Sequence, residues 1–304
     1  MERYFHCTNR GYSSARTSPF RTWYKSLLQL RHLADEDKKL AVFTATATRQ
    51  TKQRIFEVMG HFAVSTFCLE RSPLKNNIKY AVCYISNSLK LETIFASLIN
   101  EIMVSKENTK RTIRYCQTRT QCAVLRRMFM LKLGDSFYLH RQNSAWNRIV
   151  DMYHAGTPPK AKSFILPQAI QENSHMRILI CTVAFGIGIN CRVFTRIIHF
   201  GPSKNLESFV QECGRAGRNG EESVCYLLYN SLLASRSADA MKDFMYSTEC
   251  RRRSNAKYFS NNTPSALSCN CCKICAQKCE CDVNRSCQEL LTFPLHENAD
   301  MDNA

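Results

Sequence analysis

Acidic residues are scarce in this chain of 304 residues, which has 25 Asp and Glu against 42 Lys and Arg and a formal charge of +17. Such an excess of positive charge favours a polyanionic partner, because Lys and Arg neutralise phosphates and release their counterions. Nucleic acid is therefore the first expectation. An anionic membrane surface is the alternative, but it requires a basic amphipathic helix or a hydrophobic span. The sequence has neither, so no membrane partner is expected.

Long apolar runs are also absent. The most apolar stretch, Ile178 to Ile189, has about 12 residues and is interrupted by Gly186 and Gly188, whereas a membrane-spanning helix requires about 20. Met1 to Ser14 contains no apolar signal region, so we expect a reducing intracellular compartment, the nucleus or the cytoplasm. In such a compartment clustered cysteines indicate metal or redox chemistry rather than disulfides. Eight of the 17 cysteines lie at or after Cys250, whereas the nine earlier ones are scattered singly and are expected to be small buried hydrophobic residues.

Strands and helices alternate along most of the chain. Short apolar runs predict strands at 40–44, 78–85, 112–116, 177–182, 196–200 and 223–229. Helical spacing predicts helices at 50–59, 89–103, 121–131 and 206–213, and 132–176 is predicted to be a long loop. This alternation implies parallel pairing through right-handed crossovers, hence an α/β fold with a doubly wound parallel sheet. Ligands of such sheets bind in the loops that follow the carboxyl ends of the strands.

The segment Gln211 to Arg218 carries the densest chemical signal. Arg215 and Arg218 are three residues apart at the end of a predicted helix, so one turn places them on the same face. The small Ala and Gly residues between them let that face approach another surface closely. Paired guanidinium groups suit a triphosphate whose charge spreads over its oxygens at the transition state. The alternative is a solvated basic helix end.

A second segment, Thr182 to Asn190, directly follows a predicted strand. Its threonine hydroxyl, glycine amides and Asn190 side chain belong to a strand-end loop that can meet a phosphate or a ribose. A threonine in this position is also a common helix cap, which is the alternative explanation.

These two segments resemble motifs VI and V of superfamily 2 helicases, in the form carried by the RecQ family of DNA helicases. Three further segments are similar to RecQ motifs: Thr44–Thr48 (motif III), Tyr115–Arg119 (motif IV) and Tyr153–Gly156 (the His-Ala-Gly motif). The resemblance covers about residues 20–276. It implies RecA-like domains and an ATP-dependent 3′-to-5′ helicase that unwinds duplex DNA in repair, recombination or replication.

The resemblance also implies a role for each motif residue. Four residues would contact DNA, as single strands or duplex junctions: Thr118, Arg119, His154 and Thr182. Four would hold the nucleotide and couple it to DNA: Thr44, Thr46, Gly188 and Asn190. Three would reach its phosphates as catalytic groups: Gln211, Arg215 and Arg218. ATP and Mg²⁺ are the implied cofactors of the complete enzyme.

A cysteine cluster follows the α/β region. Cys269, Cys272 and Cys275 are separated by two residues each, and Cys250 lies 19 residues before the first of them. Four thiolates can close a tetrahedral Zn²⁺ site, and four sulfurs suit a structural ion because no position stays open for water. The resemblance implies the same feature, since RecQ helicases carry a zinc module after their second RecA-like domain.

Four neighbouring cysteines are surplus to this set: Cys271, Cys279, Cys281 and Cys287. The first competes with Cys272 for one ligand position. The other three are expected to bind a second ion or none.

The expected organisation has five parts. They are a disordered or foreign N-terminus (1–19), a remnant of a first RecA-like domain with motif III (20–72), the second RecA-like domain (73–230), a zinc-binding module (231–276) and a disordered acidic tail that could meet protein partners (277–304).

Two features of a complete helicase are missing. An ATP-binding loop ends in Gly-Lys-Ser/Thr, yet no glycine of this chain is followed by lysine. The acidic Mg²⁺ box expected before motif III is absent as well. We therefore expect a truncated form that has no ATP-binding loop of its own and does not hydrolyse ATP alone. The alternatives are a non-enzymatic DNA-binding protein of the same fold and a zinc-dependent regulator or adaptor.

Overall fold

A computed structural model describes residues 4–6, 41–44, 46–58, 67–69, 72–139, 144–186, 191–259 and 269–279. The chain divides into two compact units. The first comprises residues 1–73 with 255–264, and the second comprises residues 74–254 with 265–304.

In the first unit, strand β1 (Tyr4–His6) pairs in parallel with strand β2 (Ala41–Phe43). Strand β2 confirms the strand predicted at 40–44. Strand β1 falls within the predicted N-terminal part (1–19), whose other residues lie outside the described residues, so its disordered or foreign character stays a prediction. A three-residue strand has no readable periodicity, and its partner is more than 30 residues away. Helix α1 (Arg49–Val58) follows, close to the predicted 50–59.

The second unit is built on a parallel sheet of six strands. They are β3 (Ile78–Tyr84), β4 (Thr112–Cys116), β5 (Val150–Tyr153), β6 (Ile178–Cys181), β7 (Arg196–Phe200) and β8 (Ser223–Tyr229). Their order across the sheet is β3-β8-β7-β4-β6-β5, and each neighbouring pair is parallel. The strands predicted in this region and the parallel α/β sheet are therefore confirmed.

Helices lie between these strands and also follow the last strand, β8. They are α2 (Leu91–Ile94), α3 (Ala96–Ser105), α4 (Arg119–Leu133), α5 (Pro159–Ile170), α6 (Leu206–Cys213), α7 (Ser231–Ala234), α8 (Asp239–Tyr246), α9 (Arg251–Phe259) and α10 (Lys273–Gln277). Short 3₁₀ turns occur at Lys106–Asn108, Gly134–Phe137, Ala145–Asn147, Val183–Gly186 and Cys269–Cys271. None of the helices in the described part of the chain is long and apolar enough to cross a membrane.

Strand β5 and helix α5 correct the prediction of a long loop over 132–176. The strand has only four residues, and one of them is a buried aspartate, Asp151, which breaks the apolar pattern. Arg126 and Arg148 each lie 3.7 Å from its carboxylate. Burial of this charge is feasible because the arginines compensate it, and the sequence alone does not reveal that they come together. Helix α5 contains Pro167, which argues against a helix when only the sequence is read.

The central strand β4 organises the core, and all five of its residues are buried. On one face, Phe95 and Phe129 are fully buried in the main apolar cluster. On the other face, the Tyr115 ring stacks on His199 at 5.1 Å, and His199 contacts Phe209 at 4.9 Å. Both faces of the sheet are thus covered, as expected when parallel strands are connected by helices.

Candidate functional site

Three neighbouring strands end next to the residues predicted to bind DNA. Strands β4, β6 and β5 are adjacent in the sheet, and they lead directly into Thr118, Thr182 and His154 respectively. Because all strands are parallel, these residues follow the same carboxyl edge. Adjacent strands are about 4.8 Å apart, so the three strand ends span about 10 Å. The described structure thus brings the predicted residues of three separate motifs to one edge.

Arg119 and His154 lie against the same glycine. A β-carbon at Gly156 would be 3.1 Å from Nη1 of Arg119 and 3.4 Å from the His154 ring. The pKa of His154 is lowered, first by partial burial and then by the positive charges of Arg119 and Lys162. His154 is therefore neutral at pH 7, while the exposed guanidinium supplies the charge of this pair.

Thr118 caps helix α4. Its Oγ1 accepts a hydrogen bond from Gln121 N at 3.1 Å, and Gln121 Oε1 accepts from Thr118 N at 3.1 Å. This capping box holds the helix N-terminus at the edge, where amide groups and the helix dipole favour an anion. The threonine hydroxyl can still donate its hydrogen, so the capping role and a phosphate contact are compatible.

Thr182 is buried at the start of the 3₁₀ turn that follows β6. Its backbone N donates to Tyr153 O at 3.3 Å, and its carbonyl accepts from Phe185 N at 3.1 Å. The loop that continues from it contains Gly188 and Asn190, which lie outside the described residues. Their predicted contacts with a nucleotide therefore stay predictions.

The turn after α6 carries the two predicted arginine fingers. Its backbone is held by a lysine and an asparagine from the start of the second unit. Lys75 Nζ donates to Gly214 O at 2.9 Å and to Ala216 O at 3.3 Å. Asn77 Nδ2 donates to Gly217 O at 2.9 Å. Neither residue is recognisable from the sequence, since both precede the turn by about 140 positions and no pattern links them to it.

Gly217 fixes the shape of this turn. Its φ angle is +55°, and a β-carbon there would collide with Asn77 Nδ2, the Glu221 carbonyl and Ser223 Oγ. Glycine tolerates this left-handed backbone, whereas other residues are strained in it. The glycine between the two arginines is thus required by both its conformation and its close neighbours.

Arg215 is half-buried and Arg218 is exposed. The pKa of Arg218 is lowered, first by partial burial and also by the positive charges of Arg215 and Arg192. Arg215 and Arg192 therefore both lie near Arg218, and such a group of guanidinium cations is a favourable arrangement for a polyphosphate anion. Arg192 was not singled out from the sequence. Gln211, one turn before Arg215, is half-buried on α6.

Thr44 and Thr46 belong to the first unit. Thr44 is half-buried and Thr46 is buried. Their predicted role in coupling nucleotide to DNA stays a prediction.

A cluster of four thiols forms a candidate metal centre in the second unit. The Sγ atoms of Cys250, Cys271, Cys272 and Cys275 all lie within 4.8 Å of one another. Cys271 Sγ is 3.4 Å from both Cys250 Sγ and Cys275 Sγ. A tetrahedral Zn²⁺ site with bonds of about 2.3 Å separates its sulfurs by about 3.8 Å. The cluster therefore has the size and chemistry to hold a metal ion through four sulfurs.

This cluster differs from the predicted ligand set at one position. Cys271 takes the place expected of Cys269, which instead packs against the apolar core. The 3₁₀ turn at Cys269–Cys271 changes the direction of the side chains, so the regular two-residue spacing is a poor guide. Cys279 is disulfide-bonded, which removes it from the candidate ligands. Cys281 and Cys287 lie outside the described residues.

Comparisons with known proteins agree with this geometry. Residues 93–220 match the family model of the helicase conserved C-terminal domain. The chain is 28% identical over 287 residues to the ATP-dependent DNA helicase Q-like 2 of Arabidopsis thaliana, and 29% over 211 residues to Q-like 4B of the same plant. These alignments cover 87% and 69% of this chain but 37% and 16% of the relatives.

A further relative is the R290 protein of Acanthamoeba polyphaga mimivirus, whose name designates an ATP-dependent RNA helicase. It is 28% identical over 278 residues, which cover 84% of this chain and 46% of the viral protein. The chain thus spans less than half of the length of these relatives.

Among solved structures, Saccharomyces cerevisiae Dbp5 bound to RNA and ADP BeF3 is similar, with a TM-score of 0.54 and 12% identity. The match covers 80% of this chain and 57% of Dbp5. At this identity the likeness concerns the RecA-like fold alone. Residues 93–220 are therefore similar to the conserved C-terminal domain of helicases, and this match covers less than half of the chain.

Proposed function

We propose that this chain is the second RecA-like domain and zinc-binding module of a RecQ-like, ATP-dependent 3′-to-5′ DNA helicase. The observation that carries the proposal is the alignment of Thr118, Arg119, Thr182 and His154 along three adjacent strand ends. The names of the plant relatives, ATP-dependent DNA helicases of the Q-like type, support DNA as the substrate. A nuclear location would fit that substrate.

The sheet edge has the chemistry to hold a nucleic-acid backbone without reading its sequence. Arg119 offers a cation, the N-terminus of α4 offers amide groups, and neutral His154 offers a hydrogen bond. Contacts to phosphate and sugar position a nucleic acid and carry no sequence information directly. Binding should therefore depend strongly on salt, because phosphate neutralisation releases counterions.

The turn after α6 would act on the phosphates of ATP. Arg215 and Arg218, with Arg192 close by, would neutralise charge that develops on the transferred phosphoryl group. Gln211, Asn190 and Gly188 would contact the nucleotide by resemblance to the family. Mg²⁺ and the phosphate-binding loop would be supplied by a first RecA-like domain. Since no glycine here is followed by lysine, we expect the 304-residue chain alone to lack ATPase activity.

The four-sulfur cluster would hold a structural Zn²⁺. Its members come from the start of α9 and from the segment around α10, so an ion would tie these elements together. A closed set of four thiolates leaves no position for a reacting water.

Fluorescence anisotropy with a labelled single-stranded DNA tests this proposal. Arg119→Ala should weaken binding and reduce the slope of log Kd against log salt by about 1, as expected for one lost phosphate contact. Arg127→Ala, an exposed arginine farther along the same helix, is the matched control and should bind as the wild type does. Unlabelled DNA and RNA of the same sequence, used as competitors, determine which nucleic acid is preferred.

Failure of the wild-type chain to bind any single strand would refute the proposal, and equal effects of the two arginine variants would refute the assigned edge. ATP hydrolysis by the chain, lost on Arg218→Ala, would show that the inferred gap in the ATP site is wrong.

A non-enzymatic DNA-binding protein of the same fold is the second candidate. The absence of a Gly-Lys pair favours it. Such a protein should hold DNA tightly as it stands. A domain that depends on a first RecA-like lobe should instead bind weakly and gain affinity when that lobe is supplied.

A further inference from the structure

Three tyrosines form a connected group at the far end of the same sheet edge. Tyr84, the last residue of β3, pairs in register with Tyr229, the last residue of β8. Their rings meet edge to face, with centroids 5.7 Å apart and an angle of 82°. Tyr246, the last residue of α8, meets Tyr229 in the same way, at 5.7 Å and 80°. Tyr229 thus contacts both of the other rings, those of Tyr84 and Tyr246.

The two outer rings are open. Tyr229 is only 9% exposed, whereas Tyr84 is 49% exposed and Tyr246 is 58% exposed. Tyr84 is also fixed by its strand, because Ile85 N, the next backbone group, donates to Tyr229 O at 2.8 Å. Half-open aromatic rings on rigid elements lose little conformational freedom when a flat ligand stacks on them.

These rings are continuous with the edge assigned to the nucleic-acid backbone. Gln117, which precedes Thr118, donates through Nε2 to Leu233 O at 3.0 Å. Helix α7, which contains Leu233, follows Tyr229 after one residue. The loop after β4 is therefore in direct contact with the segment that leaves the tyrosine group.

The spacing suits a short stretch of single strand. Strand β3 is three positions from β4 in the sheet, which corresponds to about 14 Å. Stacked nucleotides rise by about 3.4 Å each, so roughly four of them cover this distance. A single-stranded nucleic acid whose phosphates contact Thr118 and Arg119 can thus place its neighbouring bases at Tyr84 and Tyr246.

The net charge of the chain favours a nucleic acid as the ligand of the tyrosine group. The chain carries a net charge of +17, which attracts a polyanion and offers no advantage to an apolar peptide. Tyrosine rings add stacking surface for heteroaromatic bases of any sequence. We propose that Tyr84 and Tyr246 stack unpaired bases of the single strand whose backbone is held at Thr118 and Arg119, an inference that rests on the proposed function.

The test uses the full chain and a labelled oligothymidylate of roughly 15 nucleotides, near the upper site size of single-strand binding domains. Tyr84→Ala and Tyr246→Ala should each raise Kd by roughly 5- to 150-fold, as expected for one lost base stack. Tyr84→Phe and Tyr246→Phe keep the ring and should bind as the wild type does. Leu131→Ala, an exposed apolar residue near the other end of α4, is the surface control.

An abasic strand of the same length separates stacking from backbone contacts. The alanine variants should bind it as the wild type does, because it has no bases to stack. Equal weakening on both strands, or no weakening on either, would overturn the inference while leaving the proposed function intact. A wild-type chain that binds neither strand would overturn both. Thermal unfolding of each variant confirms that the exposed rings are not needed for folding.

Discussion

Arg114 is a buried arginine without a hydrogen-bonding partner among the described residues, and we expect it to lower the free energy of unfolding. Arg114 is fully buried on β4, and its Nε, Nη1 and Nη2 atoms have no hydrogen-bond acceptor among the described residues. Its guanidinium lies 3.3 Å from the centroid of the Phe95 ring. Burial lowers the pKa of Arg114 from 12.5 to about 9. The side chain is therefore still charged at pH 7.

The energetic cost of burying the Arg114 charge can be calculated from this pKa. One pH unit corresponds to about 1.4 kcal/mol, so the drop from 12.5 to about 9 costs the folded state about 5 kcal/mol. The contact with Phe95 offsets about 2 kcal/mol of this cost. Arg114→Met keeps a long flexible side chain and removes the charge. We expect it to raise the free energy of unfolding by about 3 kcal/mol, or Tm by roughly 6–12 °C for a domain of this size.

Thermal and urea unfolding, followed by circular dichroism, measure the effect. Because the folded-state pKa is lowered, the cost is present below about pH 9 and is relieved between pH 9 and 12.5, where the folded protein releases the proton first. The difference between Arg114→Met and the wild type should therefore shrink as the pH rises above 9.

The matched control is Arg196 on the neighbouring strand β7. Its Nη1 and Nη2 atoms each lie 2.8 Å from an oxygen of Glu101. Arg196→Met should lower the free energy of unfolding by about 1–3 kcal/mol, because Glu101 loses its partner. An Arg114→Met protein that is no more stable than the wild type would refute the reasoning about the unpaired charge.

Three further predictions concern the site. Cys271→Ser should abolish binding of one equivalent of Zn²⁺, measured by a colorimetric chelator, whereas Cys269→Ser should retain it; the reverse result would restore Cys269 as a ligand in place of Cys271. Gly217→Ala should lower the free energy of unfolding by about 3 kcal/mol. Gly220→Ala is the control, because Gly220 also has a positive φ but has open space where the β-carbon would be. If both variants lose the same free energy of unfolding in urea, the collision at Gly217 is unimportant. The pKa of His154 is lowered by partial burial and by the positive charges of Arg119 and Lys162, so a gain in DNA affinity from its protonation should appear only at pH values below the ordinary pKa of histidine. An equally steep gain in His154→Gln would exclude this histidine.

Much of the fold was predictable from local pattern. The strands at β3, β4, β6, β7 and β8 are apolar runs separated by helical segments, and the parallel sheet follows from their alternation. The same reasoning placed Thr118 and Thr182 at strand ends. It failed at β5, where Asp151 interrupts the apolar run. The buried Asp151 carboxylate accepts a hydrogen bond from Met152 N and lies near two arginines.

The sequence by itself determined the order of five of the six strands of the second unit along the chain, the positions of Thr118 and Thr182 relative to strand ends, and the presence of enough cysteines for a four-sulfur site. Only the tertiary structure shows that Cys271, rather than Cys269, lies with the other three thiols. It also shows that Lys75 and Asn77 donate hydrogen bonds to the arginine turn and that Tyr84, Tyr229 and Tyr246 are in contact. The physical reason is distance along the chain. Periodicity and spacing report the neighbours of a residue within about one helix or strand, whereas these contacts join segments brought together by the crossing order of the sheet.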